Sequence, residues 1–513
     1  MDIQYKAGRR EWVGLAVLAL PTLLASLDMS VLFLALPHLT ADLHADSTQQ
    51  LWILDIYGFM LAGFLVTMGT LGDRIGRRRL LMFGASAFGV ASVVAAWSTS
   101  AEMLIAARAV LGIAGATLMP STLALIRNMF HDAKQRGTAI AVWMSCFMVG
   151  TAIGPLIGGA MLELFWWGSV FLLAVPVMAI LLATAPALLP EYRDESAGRV
   201  DLVSVVLSLA AILPVIYGLK ESARLGAIEV LPVLAVLAGL VFGALFLSRQ
   251  RRLATPLLDL RLFADRSFSS CMVIMFCGAV VMSGTFFFIP MYLQMVMGLS
   301  PLHAGLWMLP QAVAMIGSTQ LTPVLARRFR PAHLMGVALA IAALGCVLLA
   351  FVDVSGGLPL LVTGFLLACV GVAPPTMVGT ELVITSVEPA QAGSAASVSE
   401  TGNELGIALG LAILGSVGTI VYRGAVTVPA GAPESAGESL AGATAASADL
   451  PAPIATELLD SARAAFTAGM NTVATFGAVL FAAIAVVALV TLRHRPAPAP
   501  ASPSTEVAEP VAG

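Results

Sequence analysis

The sequence predicts an all-α polytopic membrane protein. Of its 513 residues, 59% are hydrophobic and only 11% are charged, whereas soluble domains carry about 25% charged residues. Apolar runs long enough to cross a bilayer, about 20 residues each, recur between charged or Pro/Gly-rich loops. The segment Leu51–Arg79 combines such a run with a loop containing four arginines. Because Arg-rich loops stay on the cytoplasmic side, this segment also gives the direction of crossing.

Fourteen apolar runs are predicted to span the membrane. The first follows Lys6, Arg9 and Arg10, as in a signal peptide, but it is too long, contains Asp28 and lacks a small-residue cleavage site. A retained first span is therefore expected. The seventh run is interrupted by Pro214, and the ninth is long enough to tilt or bend. The predicted spans are 12–37, 51–70, 80–98, 102–126, 138–162, 165–189, 201–219, 229–248, 267–296, 302–325, 331–352, 357–385, 393–421 and 464–492.

The positions of Lys and Arg predict that both termini are cytoplasmic. With alternating spans, 22 of the 27 basic residues fall inside and Arg108 falls within a span. This bias follows the positive-inside rule and requires an even number of crossings. We therefore predict a multi-pass protein of the bacterial inner (plasma) membrane. The basic residues left outside are Lys220, Arg224, Arg423 and Arg463.

The sequence contains no sign of cofactor chemistry. The five cysteines lie in apolar runs without paired or metal-like spacing, so they are expected to be small buried hydrophobic residues. A phosphate-binding G-x-x-x-x-G-K-[ST] loop is absent, which argues against ATP as the energy source. No nucleophile–base or metal-ligand cluster is apparent. The chain is therefore predicted not to be an enzyme and to need no metal, cofactor or nucleic acid.

Three motifs occur in order along the chain. The first, at the end of the second span and in the loop after it, consists of Gly69, Gly72, Asp73, Arg74, Gly76 and Arg77. The second, in the fourth span, is Arg108-x-x-x-Gly112-x-x-Gly115. The third, in the fifth span, consists of Gly150, Gly154, Pro155, Gly158 and Gly159. These resemble the loop motif, the helix-4 arginine motif and the antiporter motif of the major facilitator superfamily. With LDMSVLFLALP in the first span and FWWGSVFLLAVP opening the sixth, the chain looks like the fourteen-helix drug:proton antiporter branch. Within that branch it resembles quaternary ammonium and dye exporters of the QacA, SmvA and LfrA type.

The resemblance implies two six-helix bundles with two inserted helices, rocking about a central cavity. The expected parts are a bundle in residues 1–200, the inserted helices and linker in 201–250, and a second bundle in 251–495. The second bundle would carry a long external loop at 422–463, with a short amphipathic helix at Ile454–Phe466. A disordered cytoplasmic tail is expected at 496–513.

The implied function is proton-coupled export of lipophilic cations, such as quaternary ammonium antiseptics and dyes, by a monomer. One alternative keeps the fold but exports an endogenous metabolite or self-made antibiotic. Another is a transporter-shaped sensor that binds drugs without moving them.

Membrane-embedded ionisable residues are the candidates for proton or cation binding. Asp28, Asp55 and Arg108 lie on three different spans, each in the outer half. A buried carboxylate can hold a proton or a cation but not both, which is the minimal chemistry of antiport. The alternatives are an Asp28–Arg108 structural ion pair and a solvated Asp55 at the outer entrance. Glu400 and Glu404, four residues apart on one helical face, are further proton or substrate sites unless they are only a polar lining.

The remaining candidates concern gating and the pocket. In the family, the loop Asp, here Asp73, meets a helix N-terminus and arginines of the other half and latches the outward-open state. The glycines and proline of the fifth span permit close packing and a bend, and the family uses this bend to limit leakage. Aromatic faces attract quaternary cations and methionine adapts to varied shapes. The pocket candidates are Trp143, Phe147, Phe286, Tyr292, Met295 and Trp307.

Overall fold

The apolar runs fold into long α-helices. The computed structural model describes residues 7–130, 132–191, 193, 201–225, 229–253, 260–355, 357–386 and 392–493, and no strand occurs among them. The first nine helices are α1 (Arg9–Leu43), α2 (Ser47–Ile75), α3 (Arg77–Ala96), α4 (Ala101–Met129), α5 (Ala133–Leu164), α6 (Ser169–Leu172), α7 (Ala174–Leu188), α8 (Leu202–Leu225) and α9 (Val230–Gln250). The others are α10 (Arg266–Met291), α11 (Pro301–Trp307), α12 (Leu309–Ala326), α13 (Pro331–Leu349), α14 (Leu358–Thr385), α15 (Ala392–Ala425), α16 (Leu440–Ser447) and α17 (Ala452–Thr491).

Each of the fourteen predicted spans corresponds to a helical segment in the described part of the chain. The sixth is formed by α6 with α7, the tenth by α11 with α12, and the last by α17. Eleven segments are long and apolar enough to cross a membrane, and the bent helices α2 and α5 raise that number to 13. The remaining segment is the tenth, which contains Gln311 and Gln320.

Two predictions about the loops were wrong. Lys220 does not lie in an external loop, because α8 continues through Pro214 to Leu225 and carries Lys220 within it. The predicted separate helix at Ile454–Phe466 is instead the first part of the 40-residue α17. The loop before α17 is also shorter than expected and contains α16.

Two further predictions concern the cysteines and the chain end. None of the five cysteines forms a disulfide, and each is either buried or half-buried, as expected. The predicted disordered tail, 496–513, lies outside the described residues.

Side-chain caps set the starts of several helices. Asp46 accepts a hydrogen bond from the Gln49 backbone while the Gln49 side chain binds the Asp46 backbone, which begins α2 with a capping box. Ser100, Asp132 and Asp265 cap α4, α5 and α10, and each side chain accepts one hydrogen bond from a backbone N–H group in the first turn of its helix. These polar residues satisfy backbone N–H groups that would otherwise be unpaired at the membrane surface.

Two bundles account for most of the packing. In the first, α1 packs against α5 and α7, while α4 packs against α2 and α3. In the second, α10 packs against α14, α15 and α17, and α13 packs against α14 and α17. The first span is thus an integral part of its bundle.

The helices α8 and α9 form an antiparallel pair on the flank of the molecule. Helix α8 contacts both α2 and α15, one from each bundle. Helix α9 exposes Leu231, Leu234 and Leu240, as expected for a helix facing lipid. At the end of the pair that carries Asp201, Arg249 Nη2 lies 2.9 Å from Asp201 Oδ1. Partial burial would raise the pKa of Asp201, but hydrogen bonds from Arg249 and Ser204 outweigh it and hold that pKa below its ordinary value.

The two bundles touch at one end of the molecule. We call the end that carries the Arg-rich loop the inner side and the opposite end the outer side. At the outer side, Gln294 Nε2 donates to the Leu34 carbonyl (3.0 Å) and Leu51 lies against Gly415. A β-carbon on Gly159 would lie 2.6 Å from the Pro301 carbonyl oxygen, so α5 and α11 approach closely there. These contacts close the outer side.

We expect Gly150→Ala to destabilise the fold. A β-carbon at this position would lie 2.5 Å from the Leu23 carbonyl oxygen, and a backbone group of α1 cannot move aside cheaply. Overpacking of this kind costs about 1–3 kcal/mol, and thermal unfolding in detergent measures it. The control is Gly278→Ala, also at a buried helical position, where a β-carbon meets nothing within 4 Å. Equal stability of the two variants would contradict the close α1–α5 contact.

Candidate functional site

An ion pair joins two helices inside the first bundle. Arg108 Nη1 on α4 lies 2.6 Å from Asp28 Oδ2 on α1, and the side chains are only 2% and 12% exposed. Arg108 Nε also donates to the Ile53 carbonyl on α2 at 3.2 Å. The guanidinium therefore ties three helices together, and Asp28 supplies the negative charge that makes its burial tolerable.

Tyr57 of α2 lies against the same guanidinium. The Arg108 Cζ atom is 4.7 Å from the centroid of the Tyr57 ring, a cation–π contact. Tyr57 is buried and close enough to Asp28 and Glu404 to interact with both electrostatically. A β-carbon on Gly115 would lie 2.9 Å from Tyr57 Oη. The glycines of the fourth-span motif thus allow α2 to approach α4 and bring Tyr57 to the ion pair.

Asp55 belongs to a second and separate ion pair. Its Oδ2 atom lies 2.6 Å from Lys220 Nζ on α8, and both side chains are 0% exposed. The Lys220 ammonium also lies 4.4 Å from the centroid of the Trp52 ring. The alternative of a solvated Asp55 at the outer entrance is therefore wrong for this conformation. Residues 55 and 57 are about 200° apart around a helix, which explains why Asp55 points away from Arg108.

The two acids of α15 differ in their surroundings. Glu404 is buried, and its Oε2 atom has no hydrogen-bond partner in the described part of the protein. Glu400, one turn closer to the inner side, is exposed. The two acids thus lie on one helical face, one exposed and one buried.

The six pocket candidates are spread over packed and exposed positions. Tyr292 is fully buried and its hydroxyl donates to the Asp353 carbonyl, so it does not line a pocket in this conformation. Phe286 packs edge-on against Phe365 with 5.2 Å between ring centroids. The others vary in exposure: Trp143 is buried, Phe147 and Met295 are half-buried, and Trp307 is exposed.

The Arg-rich loop is held by its own bundle. Arg77 Nη2 lies 2.6 Å from Asp73 Oδ1, four residues earlier. Glu191, just after α7, accepts a hydrogen bond from the Arg78 backbone and pairs with its side chain at 3.4 Å. Gly76 has φ +111° and lies against Glu191, so a side chain there would be strained and would clash. The other loop residues predicted to act in the latch are Gly69, Gly72 and Arg74. The Arg193 side chain donates a hydrogen bond from Nε to the Arg74 carbonyl.

Helix α5 carries its small residues on faces that meet α1 and α11. A β-carbon on Gly158 would lie 2.7 Å from Val31 of α1. Helix α5 bends by 43° between Thr151 and Ile153. Pro155 explains this bend, because its ring clashes with the carbonyl of Thr151, four residues earlier, and it has no N–H group to bind that carbonyl. Gly154 and Pro155 are both buried.

Sequence reasoning missed three residues that the structure places in these groups. Tyr57 and Glu191 carry no signal that distinguishes them from other residues near the ends of spans. Lys220 also carries little signal, because Glu221, Ser222 and Arg224 follow it and are typical of a loop. Its pairing with Asp55 depends on the rotation of two helices, which the sequence does not contain.

Residues 18–411 match the family model of the Major Facilitator Superfamily. The chain belongs to the major facilitator superfamily. As a member of this superfamily it is a multi-pass membrane transporter and not an enzyme. The ordered motifs in the loop and in α4 and α5 are therefore those of a transporter, in agreement with the resemblance seen in the sequence.

Several curated members of the superfamily are similar over most of the chain. The multidrug efflux pump LfrA of Mycolicibacterium smegmatis is 46% identical, covering 94% of this chain and 97% of its own. The methyl viologen resistance protein SmvA of Salmonella typhimurium is 34% identical, covering 89% and 93%. The tetracenomycin C resistance and export protein of Streptomyces glaucescens is 31% identical, covering 79% and 76%.

A solved structure shares the overall fold. It is a bacterial homologue of the human lysosomal transporter Spinster in an inward-facing, unoccupied conformation, with a TM-score of 0.69. The match covers 95% of this chain and 98% of that chain at 19% identity, so it concerns the fold alone.

We expect Asp28 and Arg108 to behave as one energetic unit. Arg108→Met leaves a buried carboxylate without its partner and Asp28→Asn leaves a buried guanidinium, each costing about 3–5 kcal/mol. The double variant should cost less than the two single variants together, since neither charge remains. Thermal unfolding in detergent measures all three. Additive losses would contradict the pair.

The control for these three variants is Arg79→Met. The Arg79 side chain is 66% exposed and 3.8 Å from Glu191, and a solvated pair contributes at most about 1 kcal/mol. Its loss should therefore change stability little.

Proposed function

We propose that this protein is a proton-driven exporter of lipophilic cations, including quaternary ammonium antiseptics and dyes. The observation that carries the proposal is Glu404, a buried carboxyl group with an unpartnered oxygen on a helix that contacts both bundles. A carboxylate in such a place must be protonated or must meet a cation. The names of the LfrA and SmvA relatives support a drug cargo and, for SmvA, a quaternary dication.

The proposed cycle begins with the outer side closed. A lipophilic cation enters from the inner side, passes the exposed Glu400 and pairs with Glu404 in place of a proton. The bundles then rock, the outer contacts between α2 and α15 and between α5 and α11 open, and a proton from outside displaces the cation. The acid thus carries a proton inward or a cation outward, but never both.

The energy source in this proposal is the proton motive force. Each proton moving down a potential of 100 mV supplies about 2.3 kcal/mol, to which a pH gradient adds. No ATP is required. Because both bundles belong to one chain, we propose that the monomer is the working unit, with both termini in the cytoplasm.

Asp28 and Arg108 have a different part in this proposal. Their ion pair fixes α1, α2 and α4, and Tyr57 lies against its guanidinium. We propose that a change of charge on Glu404 reaches the first bundle through Tyr57. In the same way, the Asp73 loop, which here pairs with Arg77, would exchange partners when the inner side closes.

A second cargo class has one observation in its favour. The tetracenomycin C resistance and export protein, a relative with 31% identity, is named for a single antibiotic. A transporter with a narrow substrate would export one compound of its own host and ignore unrelated cations. Efflux measured across a panel of cations and neutral antibiotics distinguishes the two.

We expect Glu404→Gln to abolish energised efflux of ethidium. The amide cannot exchange a proton for a cation, so efflux from energised cells should fall at least about tenfold, equivalent to about 1.4 kcal/mol. An uncoupler should stop efflux by the unaltered protein to the same extent. The matched control is Glu381→Gln, at an exposed acid near the inner end of α14, which should transport normally.

Efflux by Glu404→Gln and by the unaltered protein decides between the alternatives. Uncoupler-sensitive efflux that survives Glu404→Gln would move the coupling acid elsewhere. If the unaltered protein moves no cation from the panel, the narrow-substrate alternative replaces the proposal.

A further inference from the structure

The inserted helices bring a buried positive charge to the core of the transporter. Lys220 of α8 is fully buried, with its Nζ atom 2.6 Å from Asp55 Oδ2 and 4.4 Å from the Trp52 ring centroid. A lysine so deep in an apolar helix is costly unless its charge has a use. The proposed cation site does not involve this residue.

Stability alone does not explain the Asp55–Lys220 pair. The second carboxylate oxygen, Asp55 Oδ1, has no hydrogen-bond partner in the described part of the chain. A buried ion pair without further hydrogen bonds is often no more stable than well-packed apolar side chains of similar size. The pair is therefore better explained by a role in which the charges separate.

Lys220 is the charged residue that contacts Asp55, and the charged residues of the neighbouring helices interact with other groups. On α4, Arg108 is engaged by Asp28 and the Ile53 carbonyl. On α15, Glu404 acts on Tyr57, which points to the other side of α2. On α3, the basic residues lie at the inner end and interact with Asp73 and Glu191, as described above.

The pair lies where three helices from three parts of the chain meet. Next to it, Phe59 of α2, Ile216 of α8 and Ala412 of α15 form one small apolar cluster. A β-carbon on Gly63 would lie 2.7 Å from Leu209, so α8 also lies directly on α2. This is the same flank on which α2 and α15 close the outer side. When these two helices separate, α8 cannot keep both contacts.

We propose that Lys220 is a positioning residue whose ion pair with Asp55 latches the outer side closed. While the pair is intact, α8 holds α2 beside α15. Opening of the outer side separates the ammonium from the carboxylate and wets both. The inserted helices thus set how readily the transporter opens outward. The inference rests on the alternating-access cycle of the proposed function but not on the identity of the cargo.

Distances between spin labels at the outer ends of the bundles test the latch. The labels are placed at Thr99→Cys and Ser355→Cys, both exposed in outer loops, after replacement of the half-buried Cys146 and Cys277 by alanine. The protein is purified in lipid nanodiscs without substrate. With Lys220 present, we expect one short distance. In Lys220→Met, a longer distance should appear, with the open-to-closed ratio raised about tenfold, within the coupling range of contacting residues.

Four further variants separate a latch from general damage. Asp55→Asn should give the same open fraction as Lys220→Met, and the double variant should open no further, because one interaction is lost in each. The charge-reversed variant, Asp55→Lys with Lys220→Asp, should restore the short distance. Arg249→Met, which breaks the half-buried ion pair at the inner end of α8, should leave the distance unchanged.

An unchanged distance in Lys220→Met would overturn the latch, as would additive opening in the double variant. Because no substrate is present, this result is independent of whether the protein moves ethidium. Failure of the latch with intact ethidium efflux would leave the proposed function standing.

Discussion

Charge in an apolar medium is the constraint on which the structure of this transporter depends. An ionised side chain inside a bilayer must be paired, neutralised by a proton or wetted. Arg108 and Asp28 are paired, as are Lys220 and Asp55, while Glu400 is exposed. Glu404 is buried, forms no ion pair among the described residues, and has an oxygen without a hydrogen-bond partner.

These solutions are distributed over the fold in a functional order. The Arg108 pair lies inside one bundle and can persist while the bundles move. The Lys220 pair joins an inserted helix to the first bundle, beside the outer contact between bundles. Glu404 lies on α15, which contacts α2 and α8 as well as its own bundle. The interactions that can change during transport are thus those located between rigid parts.

Much of the fold was predictable because long apolar runs have few alternatives in a membrane. Hydropathy placed all fourteen segments, and three glycine-rich motifs indicated the family. The same hydropathy logic failed at Lys220, since one basic residue near the end of a run looks like the start of a loop. It also failed at Ile454–Phe466, where a polar-faced stretch is continuous with the last helix.

The candidate site was predictable in its residues but not in its pairings. Asp28, Asp55, Arg108 and Glu404 are conspicuous because they interrupt apolar helices. Whether Asp55 faces Arg108 or α8 depends on the rotation and tilt of α2, which follow from the packing of Gly115 against Tyr57 and of Gly63 against Leu209. Such contacts join residues distant in sequence, and no local pattern encodes them.

Simultaneous flux measurements in proteoliposomes test most directly whether one site exchanges protons for cations. Ethidium and a trapped pH-sensitive dye would be followed together after a pH gradient is imposed across the membrane. We expect ethidium to move against its own gradient while protons move in the opposite direction, with neither flux occurring without the other. Ethidium transport that proceeds down its own gradient without any movement of protons would rule out this exchange.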